Sequence, residues 1–163
     1  MPCDQRLVFD SSALINTKSA IRVGEQWDFF DALLQRVRSG LVVVPRQVMK
    51  EISESRWPDM PGAWAATAYH QSPYANDADY EWVQEVMART PDIIEVDAEV
   101  NKADPWGLAL ALQLASDGME VVVVTNDNRD RPTKISLASA CRSFGIESID
   151  LEGALQWLDN HPA

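Results

Sequence analysis

Apolar positions along the chain follow two different periods. RLVF (6–9), LVVV (41–44), VVVV (121–124) and IESI (146–149) are short runs with the length and composition of strands, the first three apolar on both faces. Between them the spacing opens to that of helices. QWDFFDALLQRVRS (26–39) sets Trp27, Phe30, Leu34 and Val37 on one stripe, with Gly40 as its stop. A helix is expected after Pro45 through RQVMKEISES, and another over DADYEWVQEVMAR (77–89). LALALQLAS (108–116) is apolar nearly all round, as a buried helix is; Asp104 is its expected N-cap, Pro105 its first position and Gly118 its end. Further helices are expected at 134–143 and near 151–159. Residues 56–76 hold Trp57, Trp64, Tyr69, Tyr74 and three prolines, and read as a loop or broken helix.

Strands alternating with helices, and apolar on both faces, predict a mainly parallel sheet covered by helices on each side: a three-layer α/β/α fold. The 163 residues suit one domain, 1–163, with no repeat or linker. No signal segment and no stretch of membrane-spanning length is seen, and Cys3 and Cys141 lack metal-ligand spacing, so a reducing, cytoplasmic setting without membrane is expected. With 25 acidic residues against 14 basic ones the net charge is −11, which disfavours a general duplex-binding protein. It does not disfavour an enzyme acting on phosphate esters, because a metal held by carboxylates reverses the local sign.

Ligands of open parallel sheets bind at the carboxyl ends of the strands. Asp10 follows LVF, Asp127 follows VVVVTN, and Asp104 opens a helix that precedes a strand. Glu51 lies about 60° round its helix from Val48, at the edge of the buried face. Each acid has an ordinary explanation: Asp104 as a cap, Asp127 as a turn residue, Asp10 as a solvated strand end, Glu51 as a half-exposed helix residue. Together, with no lysine or arginine evident among them, they would repel one another unless protonated or bridged by a cation. All-oxygen sites suit Mg²⁺ or Mn²⁺, one or two ions. No histidine lies near the acids in sequence, His70 falling in the irregular segment and His161 at the terminus.

Asp10 in VFDSSALI, Glu51 in VPRQVMKEI, Asp104 in KADPWGLALALQLA and Asp127 in VVVVTNDNRD resemble the four acidic motifs of PIN-domain nucleases, a group that includes VapC-type toxins. The Trp-bearing first helix and the ending KISLASACRSFGIESIDL resemble one PIN-like branch. The resemblance implies a sheet of about five strands and metal-dependent hydrolysis of RNA phosphodiesters, with Asp10, Glu51, Asp104 and Asp127 as catalytic and metal-binding acids. Asp130 is the alternative fourth acid. Ser11, Ser12 and Thr125 match hydroxyl positions beside the acids. A toxin of this kind implies an antitoxin protein partner.

Arg129, Arg131 and Lys134 are candidate RNA contacts, with Arg36, Arg38, Arg46, Lys50 and Arg56 as a second basic supply; a solvated helix face is the commoner explanation of either set. The aromatic residues of 56–76 either stack on unpaired bases, anchor a loop to the core, or form a groove for an antitoxin or a second copy in a homodimer. A metal-binding adhesion motif fails because Leu14 stands where its second serine is needed, and a dehalogenase-type phosphotransferase fails because Ser12 stands where its second acid is needed. The remaining rival is a catalytically inactive PIN-like binding or scaffold module.

Overall fold

A computed structural model describes residues 5–53, 59–73, 76–95 and 103–162. Cys3, Arg56, Trp57 and Tyr74, named above, lie outside these residues. Among the described residues the sheet has four strands: β1 (Gln5–Phe9), β2 (Val42–Val43), β3 (Glu120–Val124) and β4 (Glu147–Ile149). They are the four runs read from the sequence; the fifth strand implied by the resemblance is not among them. Their order is β2-β1-β3-β4, and each of the three pairings is parallel.

The valine runs are explained by what covers them. Leu7, Phe9, Val42, Val44, Val122 and Val124 point into one core, shared with α1 (Ser11–Ala20), α2 (Val23–Ser39), α3 (Arg46–Ser53), α4 (Met60–Tyr69) and α8 (Leu151–Asn160). Val8, Val43, Val121 and Val123 point into a second core, built with α5 (Tyr80–Arg89), α6 (Ala103–Ser116) and α7 (Leu137–Ser143). Alternate strand residues are thus buried on opposite faces, so neither face selects for polar residues. The three-layer α/β/α architecture is the expected one. Among the described residues no helix is long and apolar enough to cross a membrane.

Several local expectations are corrected. The buried stripe of α2 is Gln26, Phe30, Leu33 and Val37, while Trp27 is 70% exposed. Gln26 is drawn inward because its side-chain amide donates to the carbonyls of Ile21 and Lys18, which close the preceding turn. The aromatic segment contains a regular helix: Pro61 lies in the first turn of α4, where no amide hydrogen is needed, and Asp59 accepts from the Gly62 amide. Trp64 is buried and its indole donates to the Phe30 carbonyl at 2.8 Å, so this residue anchors α4 to α2. The helix expected from 77 begins at Tyr80 and that expected from 134 begins at Leu137, with Ser136 capping the latter through the Ser139 amide.

Candidate acidic cleft at the strand switch point

From β1 the chain passes to β2 on one side of it, and later returns to place β3 on the other side. The switch point therefore lies between the carboxyl ends of β1 and β3, the place where open parallel sheets leave a crevice. Register pairs Phe9 with Val124, so Asp10 and Thr125 follow side by side, and the Asp10 amide donates to the Val124 carbonyl at 2.9 Å. A cleft of about 390 Å³ opens here, lined by Asp10, Ser11, Ser12, Glu51, Asp104 and Asp127, with Ile15, Asn126, Arg131 and Lys134 completing its walls. Four separate elements thus bring the four expected acids together. Glu51 is exposed and stands on the rim, further out than its helix position suggested.

Asp10 is only 6% exposed. Its Oδ2 accepts from the Ser12 hydroxyl at 2.7 Å and the Thr125 hydroxyl at 2.9 Å. Those hydroxyls in turn accept from the amides of Asn126 and Asp127, at 2.9 and 3.0 Å. Backbone dipoles at the end of β3 are therefore relayed through two hydroxyls onto one carboxylate oxygen. Ser11, the third expected hydroxyl, is buried among the lining residues, and its Oγ has no hydrogen-bond partner.

Lys134 changes the electrostatic picture drawn from the sequence. Its ammonium lies 2.9 Å from Asp104 Oδ2 and 3.2 Å from Asp127 Oδ2, inside a cluster expected to contain no cation. Asp104 gives one oxygen, Oδ2, to this contact and sits within the first turn of α6 instead of capping it. Burial alone would lower the lysine, but the charges of Asp104 and Asp127 outweigh it and hold the ammonium above its ordinary range. Even so, two of the acids are raised. Burial, reinforced by Glu51, raises Asp10 against the pull of the Ser12 and Thr125 hydroxyls. Asp104 is pushed up to about 6 by burial and then by the charge of Asp10, with Lys134 opposing.

Asp127 and Asp130 are separated by geometry. Asp127 lines the cleft, and its Oδ2 also accepts from the Leu137 amide at 2.9 Å. Asp130 points away from it, accepting from the Ser136 amide at 2.8 Å, a bond that holds its carboxyl below the usual range. Of the basic candidates, Arg131 reaches the cleft wall and pairs with Glu95 at 3.2 Å, whereas Arg129 is exposed and outside the lining. Arg36 donates to the Leu158 and His161 carbonyls, Arg38 to Gln71 and Arg46 to Asp77, so these three serve local contacts; Lys50 is exposed and outside the lining. His161 stacks on Trp157, and neither it nor His70 lines the cleft. Cys141 is buried, its thiol pushed up to about 12 by burial and then by the charges of Asp10 and Asp104.

Sequence reasoning took Lys134 as an RNA contact and not as a partner of the acids, and gave Asn126 and Ile15 no role. Asn126 Oδ1 accepts from the Leu151 amide at 2.9 Å and so ties the end of β3 to the start of α8. Its place between Thr125 and Asp127 was the available signal. Nothing local in RPTKI indicates that the lysine turns inward.

Fold and cleft define a three-layer α/β protein with an acidic crevice at its strand switch point. Within that class, the chain belongs to the family described as a domain of unknown function, DUF4411, whose model it matches over residues 7–160. The crystal structure of PAE2754 from Pyrobaculum aerophilum is similar in fold, with a TM-score of 0.54 at 16% identity, covering 96% of this chain and 98% of that one. Among curated proteins, none matches the chain.

Proposed function

We propose that the protein is a divalent-metal-dependent ribonuclease, acting as the toxin of a toxin–antitoxin pair. The observation that carries the nuclease reading is the convergence of Asp10, Glu51, Asp104 and Asp127 on one cleft whose lining contains no histidine or cysteine. Such a donor set is all oxygen and fits a hard cation, Mg²⁺ or Mn²⁺. The carboxyls of Asp10 and Asp104 are raised first by burial and then by neighbouring acids, and a bound cation would oppose that rise. The toxin role and its antitoxin partner rest on the motif resemblance.

Asp10, Glu51 and Asp104 would hold the metal, which when bound supplies an acidified water and neutralises charge on the phosphate. The chain's own residues set the stage for this. Ser12 and Thr125 fix one oxygen of Asp10, leaving a single orientation for its carboxyl. Arg131, on the cleft wall, would meet a phosphate by exchanging its pairing with Glu95, and Ile15, 45% exposed beside the acids, would offer an apolar contact to a base or ribose. The second reading, an inactive binding module, is favoured by one observation: Lys134 already neutralises part of the cluster.

Cleavage of single-stranded RNA in Mn²⁺ by wild type, Asp10→Asn and Asp104→Asn tests the proposal, with circular dichroism confirming that all three fold. Wild type is expected to cleave, and both variants to lose cleavage by a hundredfold or more. Equal cleavage by wild type and folded variants would overturn it.

A further inference from the structure

Lys134 is held in the cleft as a bound cation would be. An ammonium has three N–H donors, and three oxygens receive them here: Asp104 Oδ2 at 2.9 Å, Asp127 Oδ2 at 3.2 Å and the Ile135 carbonyl at 3.2 Å. The side chain is only 14% exposed. A long basic side chain ordinarily keeps its head in water, so this placement needs a cause, and the backbone supplies one. Arg131 and Lys134 exchange two amide–carbonyl hydrogen bonds, at 2.8 and 3.2 Å, while the Ile135 amide donates to the Asp92 carbonyl at 2.8 Å. The lysine is therefore clamped on both sides of its Cα and aimed inward.

We propose that the Lys134 ammonium occupies a cation position between Asp104 and Asp127, so that the cleft takes one divalent ion fewer than its carboxylates would otherwise hold. The inference rests on the metal-binding reading of the same cleft and adds to it the number of ions. Two carboxylate oxygens and a carbonyl are donors of the type that bind a hard divalent ion. With the ammonium among them, they are satisfied without one. Asp10 Oδ2, by contrast, is engaged by hydroxyls and not by Lys134. The four acids line one cleft, but among the described residues no three carboxylate, thiol or imidazole groups stand close enough together to form a ready ligand set.

Mn²⁺ titration calorimetry on wild type, Lys134→Met and Lys134→Gln tests this, each protein checked by circular dichroism. Glutamine keeps a polar group between the acids and guards against loss of the fold in the methionine variant. The expected result is one more Mn²⁺ bound per chain in the variants than in wild type. Equal, non-zero stoichiometries would overturn the role of Lys134 and leave the metal site standing. No binding by any of the three would overturn both. Binding by the variants alone would support Lys134 as the occupant and remove metal from the native reaction.

Discussion

Thr125 Oγ1 donates to Asp10 Oδ2 at 2.9 Å, joining the end of β3 to the end of β1 across 115 positions of sequence. The same hydroxyl accepts the Asp127 amide at 3.0 Å, so one small group sets the positions of two acids. Thr125→Val keeps the shape and removes both bonds. It is expected to cost about 1–3 kcal/mol, because the buried Asp10 carboxylate loses one of its two hydroxyl donors and the Asp127 amide loses its acceptor. Urea denaturation measures this, and an unchanged midpoint would show that water replaces the hydroxyl. Asp10 is expected to rise further, since Thr125 is one of the groups lowering it.

Stability should fall between mildly acidic and neutral pH when metal is chelated. Asp10 and Asp104 are both raised in the fold, the latter to about 6, so the native chain binds more protons than the unfolded one between about 4 and 6. Their unfavourable contribution is absent below the unfolded value and complete above the folded one. Denaturation in EDTA is expected to show the protein more stable at pH 5 than at pH 7.5 by about 1 kcal/mol. Asp104→Asn should flatten that profile. A wild-type stability that climbs over this interval would contradict the assignment.

Gly62 lets α4 pack closely on α3, the helix that carries Glu51. A Cβ at this position would overlap the Ile52 carbonyl, so α4 approaches α3 closely only because residue 62 has no side chain. Gly62→Ala is expected to destabilise the protein by about 1–3 kcal/mol, as overpacking does, in spite of the better helix propensity of alanine. The helices must part, and Glu51 shifts with α3 on the cleft rim. Thermal denaturation reads the first effect, and weakened Mn²⁺ affinity in a still-folded variant reads the second.

The layered sheet was legible in the sequence because its cause is local. Residues alternating up and down a strand, both buried, leave an apolar run with no polar interruption, as LVVV and VVVV show. Strand ends were legible for the same reason, and with them Asp10, Thr125 and Asp127. Helical facing was less so. Trp27 is a large aromatic near the start of α2, yet the helix turns Gln26 inward, because the amide of that side chain meets two backbone carbonyls of the preceding turn. Periodicity ranks residues by hydrophobicity and does not see such a partner. Proline in PDMPGAW suggested a broken segment where α4 forms, since proline ends a helix or starts one according to a position that the Asp59 cap settles.

The sequence by itself determined the alternation of strands and helices, and the acids that end two of the strands. Tertiary structure alone decided that β1 and β3 are neighbours, so that Asp10 and Thr125 meet, and that α6 delivers Asp104 to the same crevice. It also placed a cation among the acids. Lys134 lies seven residues from Asp127 and thirty from Asp104, in a loop without periodicity, held by its own backbone bonds to Arg131 and by the bond of the next residue, Ile135, to the Asp92 carbonyl. Local pattern follows from which face of an element is buried. The direction of a charged side chain in a loop follows from long-range partners, which no short stretch of sequence contains.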